Sequence, residues 1–146
     1  MKILLLTVGK PRLAYARAGV AEYLARLRRG PEAEWKQIKE GSRGVESTRL
    51  WEASEGSFRV LLDERGQLCG TRDLQLRWQK WEQSAVRQVA FLIGGADGHE
   101  ESLRQKADWI WSLSPLTLQH ELALVVLLEQ LYRVQSLQRG EPYHRD

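Results

Sequence analysis

Two stretches of this 146-residue chain bring together groups suited to chemistry. The first is the tail Arg139-Gly-Glu-Pro-Tyr-His-Arg145, which sets two guanidinium groups, a phenol and an imidazole within seven residues. Arg139 and Arg145 can hold phosphate, Tyr143 can stack on a base, and His144 can hydrogen-bond or move a proton near neutral pH. Against this stands the ordinary fate of a terminus, which is to be frayed and solvated; Pro142 and an aromatic beside a histidine speak for a tail with a docking place. The second stretch is Gly94-Gly95-Ala96-Asp97-Gly98, where missing Cβ atoms let a ligand approach backbone N–H and C=O groups. It lacks the Lys and Ser/Thr of a phosphate-binding loop and the spacing of a dinucleotide fingerprint, so tight turn and binding loop both remain open.

Other polar residues read more plainly. His99, beside Glu100 and Glu101, is expected at a helix start, and His120 is expected as an N-terminal or core histidine of an apolar helix. Three histidines with no i, i+4 pair and a single cysteine, Cys69, propose neither a metal site nor a disulfide. Arg133, beside Tyr132, reads as a snorkelling or phosphate-binding side chain. Trp78 and Trp81, three apart, and Trp109 and Trp111, two apart, are expected to pack in the core rather than stack on bases.

The elements that position these groups follow from apolar periodicity. Residues 3–8 are a continuous apolar run closed by Gly9-Lys10-Pro11, the pattern of a strand buried on both faces. Over residues 12–29 apolar side chains recur every three or four positions with arginines mainly opposite, predicting an amphipathic helix stopped by Gly30-Pro31. Residues 34–38 alternate weakly as a strand, 41–44 read as a loop, and 46–53 as a helix. A strand over 58–62 is expected to end at Asp63 in a polar turn, 64–67. Then follow a helix over 73–83, a strand over 88–93, the glycine loop, a short helix to about 107, a strand over 109–113, a loop over 114–117, and a long helix over 119–137. This alternation predicts one α/β domain, residues 1–146, with a mainly parallel sheet flanked by helices and ligands outside the carboxyl ends of its strands.

Composition narrows the class. Hydrophobic residues make 42% of the chain and charged residues 28%, so it folds rather than staying disordered. The longest apolar run, 122–128, is too short to cross a membrane, and the amino terminus lacks a signal peptide's pattern, giving a cytoplasmic expectation with no membrane partner. Net charge is +3, yet residues 1–30 alone carry seven Lys/Arg against Glu22. Sixteen of the 22 basic residues are Arg, which suits RNA phosphate and base stacking.

Four motifs in order are similar to a known family: Phe91-Leu-Ile-Gly-Gly-Ala-Asp-Gly98, Trp111-Ser-Leu-Ser-Pro-Leu-Thr-Leu-Gln-His120, Glu129-Gln-Leu-Tyr-Arg133 and Gly140-Glu-Pro-Tyr-His-Arg145. With the opening Met1-Lys-Ile-Leu-Leu-Leu-Thr-Val-Gly-Lys10 and Glu22-Tyr23-Leu24, nearly the whole chain resembles the ribosomal large-subunit pseudouridine methyltransferase H family. The resemblance implies a SPOUT-class α/β-knot fold with a carboxy-terminal trefoil knot, and a homodimer. The implied reaction uses S-adenosylmethionine, without metal, to methylate N3 of pseudouridine 1915 (RNA numbering) in 23S rRNA of assembled ribosomes. It implies cofactor contacts at Leu62, Gly94, Leu113, Ser114, Pro115, Leu116, Thr117 and Leu118. Arg133, Tyr143, His144 and Arg145 take catalytic or base-holding roles by the same resemblance, with one subunit's tail reaching the other's cofactor pocket. Many members carry arginine four residues after the motif histidine, where this chain has Leu124; Arg133, Arg139 or an arginine of the first helix is expected to substitute. A non-catalytic ribosome- or RNA-binding module that keeps the fold is the competing reading. A nucleotide-dependent oxidoreductase is disfavoured by the glycine spacing.

Overall fold

In the computed structural model, which describes residues 1–30 and 32–146, apolar strands alternate their side chains between two buried layers. Pro31, half of the expected stop of the first helix, lies outside the described residues. The elements follow in the order β1 (Lys2–Val8), α1 (Ala14–Leu27), β2 (Ala33–Ile38), α2 (Arg43–Ala53), β3 (Phe58–Leu68), α3 (Thr71–Gln83), β4 (Gln88–Ile93), α4 (Glu101–Lys106), β5 (Trp109–Ser112) and α5 (His120–Gln138). The strands form one parallel sheet ordered β2-β1-β4-β3-β5.

Period-two geometry explains the two cores. Ile3, Leu5, Val60, Leu62, Val89, Phe91, Ile93, Trp109 and Trp111 face one layer, where α1, α3 and α5 supply Val20, Leu24, Trp78, Trp81, Leu127 and Leu128. Leu4, Leu6, Leu61, Ala90 and Leu92 face the other with Leu50 of α2 and Leu103 of α4. Strands covered on both faces read as unbroken apolar runs, which is why β1 and β4 are legible. Trp109 and Trp111 stack at 5.1 Å between ring centroids, with Trp81 6.2 Å from Trp109, so the four tryptophans expected in the core are there.

α5 holds both ends of α1. The side chain of Leu13 offers the amino end no cap; instead Glu121 Oε1 accepts from Arg12 N at 2.7 Å and Leu13 N at 2.9 Å. A buried carboxylate there suits the exposed donors and positive dipole end of the helix. At the far end Gln135 Nε2 donates to the Leu27 carbonyl at 3.1 Å.

Two sequence expectations are corrected. The predicted loop 41–44 gives Arg43 and Gly44 to α2, because Ser42 caps that helix by accepting from Val45 N at 3.3 Å. The predicted polar turn 64–67 is part of β3: pairing with β5 runs to Leu62↔Trp111, slips, and resumes at Gln67↔Trp111 and Leu68↔Ser112. Residues 63–66 bulge between these registers, and Gly66 is required there because a Cβ would lie 2.7 Å from the Ile110 backbone carbonyl. The bulge carries Asp63, Glu64 and Arg65 to the end of the sheet.

Candidate active site

The carboxyl ends of β3, β4 and β5 open into a cavity of about 530 Å³, well inside the range of small-molecule sites. Residues 62–65, 93–99 and most of 111–120 form its wall, with Arg43 and Ala123 at its margins. Of the residues expected to contact a cofactor, Leu62, Gly94, Leu113, Ser114, Leu116, Thr117 and Leu118 line the cavity, and Pro115 does not.

The glycine loop is at once a tight turn and a cavity wall. Gly98 N donates to Gly95 O at 3.0 Å, Gly98 adopts φ +72°, and a Cβ on Gly94 would stand 3.1 Å from the Gly98 carbonyl and from His99 Cε1. The loop after β5 is fixed by Ser112 Oγ donating to Ser114 O and by Leu116 N donating to Ser114 Oγ, each at 2.9 Å. Thr117 Oγ1 then donates to Glu64 Oε2 at 2.7 Å, tying this loop to the β3 bulge. Leu116 stays 72% exposed.

Sequence reasoning misses His99. The residue does precede α4, as expected of a helix start, yet it is 5% exposed and lines the cavity. Its Nε2 donates to the Leu62 carbonyl at 3.2 Å, and Nδ1 is buried. Burial pushes its pKa below the ordinary histidine value, outweighing the opposing pull of Asp63 and of the Leu62 and Leu92 carbonyls. Trp111 also lines the cavity, with its Nε1 buried and unpartnered. The only available signal is a histidine directly after a glycine loop at a strand end. His120, the first residue of α5, lines the cavity half-buried. Among the described residues no three of His, Cys, Asp and Glu converge as a metal site.

The tail groups gather elsewhere. Glu129 accepts from Arg133, from Gln130 Nε2 at 2.8 Å and from the Tyr143 hydroxyl at 3.1 Å. Tyr143 also receives a hydrogen bond from Tyr23 at 3.2 Å and stands edge-on to Tyr132 at 4.7 Å, so the end is docked, not frayed. Burial, with the Tyr23 bond and the Glu129 charge, raises the Tyr143 pKa and keeps the phenol protonated. Arg133 Nη1 donates to His144 Nδ1 at 3.2 Å, so the ring hydrogen is on Nε2, which donates to Asp146 Oδ1 at 2.9 Å. Asp146 in turn accepts from Arg72 at 2.8 Å, and these contacts draw its carboxyl down to about 2. Arg145 is exposed.

The structure therefore brings seven of the eight expected cofactor residues to the cavity and Arg133, Tyr143 and His144 to one cluster at the tail, but not the two sets to each other. Arg133 lies ten residues beyond Ala123 of the cavity wall on α5, about 15 Å along the helix axis. Leu124, where the resemblance expects arginine, is 2% exposed in the core. The cation beside it is Lys10, on the same small recess at the ends of β1 and β4, rather than Arg133, Arg139 or an arginine of α1.

Comparison with known proteins follows the same outline. A family model described as "Predicted SPOUT methyltransferase" matches residues 1–144. A relative from Thermus thermophilus, named "Ribosomal RNA large subunit methyltransferase H", is 50% identical over 145 residues and 99% of each chain. One of the same name from Deinococcus deserti is 42% identical over 99% of this chain and 100% of its own. A solved structure, described as a probable methylase family protein from Haemophilus influenzae Rd KW20, superposes with TM-score 0.54 at 12% identity, covering 99% of this chain and 70% of that one. At that identity the likeness concerns the fold alone.

Proposed function

Because this chain belongs to the SPOUT methyltransferase family and to the ribosomal RNA large subunit methyltransferase H proteins within it, we propose a specific reaction for it. The chain transfers the methyl group of S-adenosylmethionine to N3 of pseudouridine 1915 (RNA numbering) in 23S rRNA. It acts in the cytoplasm as a homodimer on assembled ribosomes, and the trefoil knot of the class is part of this reading.

The cavity suits the cofactor. Its volume, its mixed polar and apolar lining and the loop backbone after β5 fit a ligand that is part apolar and part hydrogen-bonding. Leu62, Gly94 and residues 113, 114 and 116–118 would hold it, while Pro115 fixes the loop backbone without contact. When bound, S-adenosylmethionine supplies a methyl group already activated by its sulfonium. The protein's share is then alignment, and alignment is worth much of the rate.

The observation that carries the dimeric site is the separation along α5. Arg133, Tyr143, His144 and Arg145 cannot serve the cavity of their own chain from about 15 Å away, so a partner's tail completes each site. Arg133 and Arg145 would hold phosphate, and Tyr143 the flipped base. Both nitrogens of His144 are engaged, by Arg133 and Asp146, which favours an orienting role over that of proton acceptor. The buried Leu124 replaces a family cation by packing and leaves the cavity wall intact, so the catalytic reading is preferred to the non-catalytic module.

The test supplies labelled S-adenosylmethionine to ribosomes lacking the modification, with free 23S rRNA alongside, and identifies the product nucleoside by mass spectrometry. Label at N3 of one pseudouridine, on ribosomes in preference to free RNA, is expected; label elsewhere overturns the substrate assignment. For the shared site, a cavity variant mixed with a His144→Ala variant should recover about one quarter of wild-type activity through heterodimers with one intact site, whereas no recovery places the tail outside the partner's site.

A further inference from the structure

We infer that Arg72 of α3 is a positioning residue: acting through Asp146, it holds the His144 ring in one orientation and one tautomer for the site that the tail serves. The inference rests on the role of the tail proposed above and adds to it a pair, Arg72 and Asp146, from outside every motif that carries the resemblance.

The state of the ring follows from its two neighbours. A guanidinium only donates, so His144 Nδ1, 3.2 Å from Arg133 Nη1, is the lone-pair nitrogen and the ring hydrogen is on Nε2. That hydrogen goes to Asp146 Oδ1 at 2.9 Å. Arg133 alone does not fix the plane, because the last torsion of a histidine is broad and one contact at Nδ1 lets the imidazole turn. The second contact fixes it, and it is as firm as Asp146 is.

Asp146 is held from α3. Arg72 Nη2 donates to its Oδ2 at 2.8 Å and Arg72 Nε to its Oδ1 at 3.3 Å, the two-pronged grip that a guanidinium gives a carboxylate. The guanidinium is itself turned into place. Its Nη1 donates to Gln75 Oε1 at 3.1 Å, and Gln75 Nε2 donates at 3.1 Å to Gln138 Oε1 at the end of α5. Oδ1 of Asp146 thus receives His144 and Arg72 together.

Exposure separates positioning from mere support. The side chains of Arg72 and Asp146 are 53% and 73% exposed, and an ion pair so exposed adds little to the stability of a fold. The His144 side chain that the pair controls is only 10% exposed. Its other neighbour, Arg133, is bound to Glu129, which also receives the Tyr143 hydroxyl. Arg72 therefore stands at one end of a hydrogen-bonded array whose other members are the groups proposed to hold base and phosphate.

The experiment compares full-length wild type, Arg72→Gln, Arg72→Lys, Asp146→Asn, the Arg72→Gln and Asp146→Asn double variant, and His144→Ala. Each is assayed for methyl transfer to ribosomes lacking the modification, and nitrogen-15 spectra are taken of the histidine-labelled proteins. Arg72→Gln is expected to keep a melting temperature, a KM for ribosomes and an affinity for S-adenosylhomocysteine close to wild type while kcat falls about three- to tenfold. Lysine keeps the charge without the fork, so Arg72→Lys recovers part of the loss. The double variant falls no further than the singles, because both remove one support. In the spectra of Arg72→Gln the two ring nitrogen signals of His144 draw closer together as its tautomers mix. A wild-type kcat for Arg72→Gln beside an impaired His144→Ala overturns the inference and leaves the role of the tail standing. Full activity of His144→Ala overturns both. A raised KM for ribosomes with unmoved ring signals makes Arg72 a phosphate contact instead, which also overturns the inference.

Discussion

Tyr143 gives its hydroxyl hydrogen to Glu129 at 3.1 Å, and therefore receives rather than gives in its 3.2 Å contact with Tyr23. One carboxylate thus fixes the polarity of a chain of groups running from α1 through the tail to α5. Truncation by Glu129→Ala should free the tail, at a cost of about 1.5–3 kcal/mol for losing charge-assisted bonds. Trypsin should then cut faster at Arg139 and Arg145, and methyl transfer should fall while S-adenosylhomocysteine affinity holds. A tail as protected as in wild type would refute the anchoring role.

The bulge of β3 depends on Gly66. Gly66→Ala drives a Cβ to 2.7 Å from the backbone of Ile110, which cannot swing aside as a side chain does. Overpacking of this kind costs about 1–3 kcal/mol, read from urea unfolding. Because Glu64 and Arg65 ride on the bulge, cofactor affinity should fall with it; an unaltered midpoint would mean that β3 and β5 separate freely here.

Stability should fall on acidification through His99. Its folded-state pKa lies below the ordinary 6.5, so the unfolded chain binds the proton more readily. The contribution is fully present above about 6.5 and is lost as pH drops from there toward the folded value. Asp146 works in the same sense only at lower pH, between its ordinary 3.8 and about 2. Urea unfolding at about pH 7.5 and about pH 5.5 should therefore show a larger loss for wild type than for His99→Gln, and equal losses would exclude His99 as the source.

On the basic side of α1, Arg17, Arg28 and Arg29 are exposed and form no ion pair among the described residues, while Arg26 pairs with Glu22 at 2.8 Å and lies over the Tyr23 ring. Replacing the three free arginines by Gln should lower the salt slope of ribosome binding by about two to three, since each phosphate left without its arginine reduces it by about 0.7 to 0.9. Arg26→Gln should change it less. A slope unmoved by the triple change removes this face from the RNA interface.

How much of this is legible follows from what each segment packs against. β1, β4, β5 and α5 bury apolar side chains, and their sequences announce them by period. The end of β3 carries polar groups: Glu64 and Arg65 are exposed and the Asp63 side chain is buried in ion pairs with Arg104 and Arg65, so the segment reads as a turn. α1 is visible, but its amino end is capped from α5 by Glu121, 108 residues away from Leu13, a relation no local pattern encodes. The glycine loop and the tail draw attention from residue type alone, and the three loops of the cavity are placed by resemblance. His99 escapes because the two glutamates that follow it look like a helix start, and the burial that makes it unusual exists only once β3 and β4 are side by side. The distance along α5 between cavity and tail is equally invisible, since it needs both ends placed at once.

The strand order has a consequence for how the chain is made. β1 pairs with β2 within the first 38 residues but on its other edge waits for β4, which begins at Gln88. During synthesis the apolar edge of β1 is therefore unmatched until more than half of the chain has emerged, and β5 and α5 close the main core last. Parallel pairing over such separations is slow and leaves edges open to wrong partners. A nascent chain stalled before Gln88 should bind chaperones that the finished protein ignores, and the window of vulnerability closes only when β4 slides between β1 and β3.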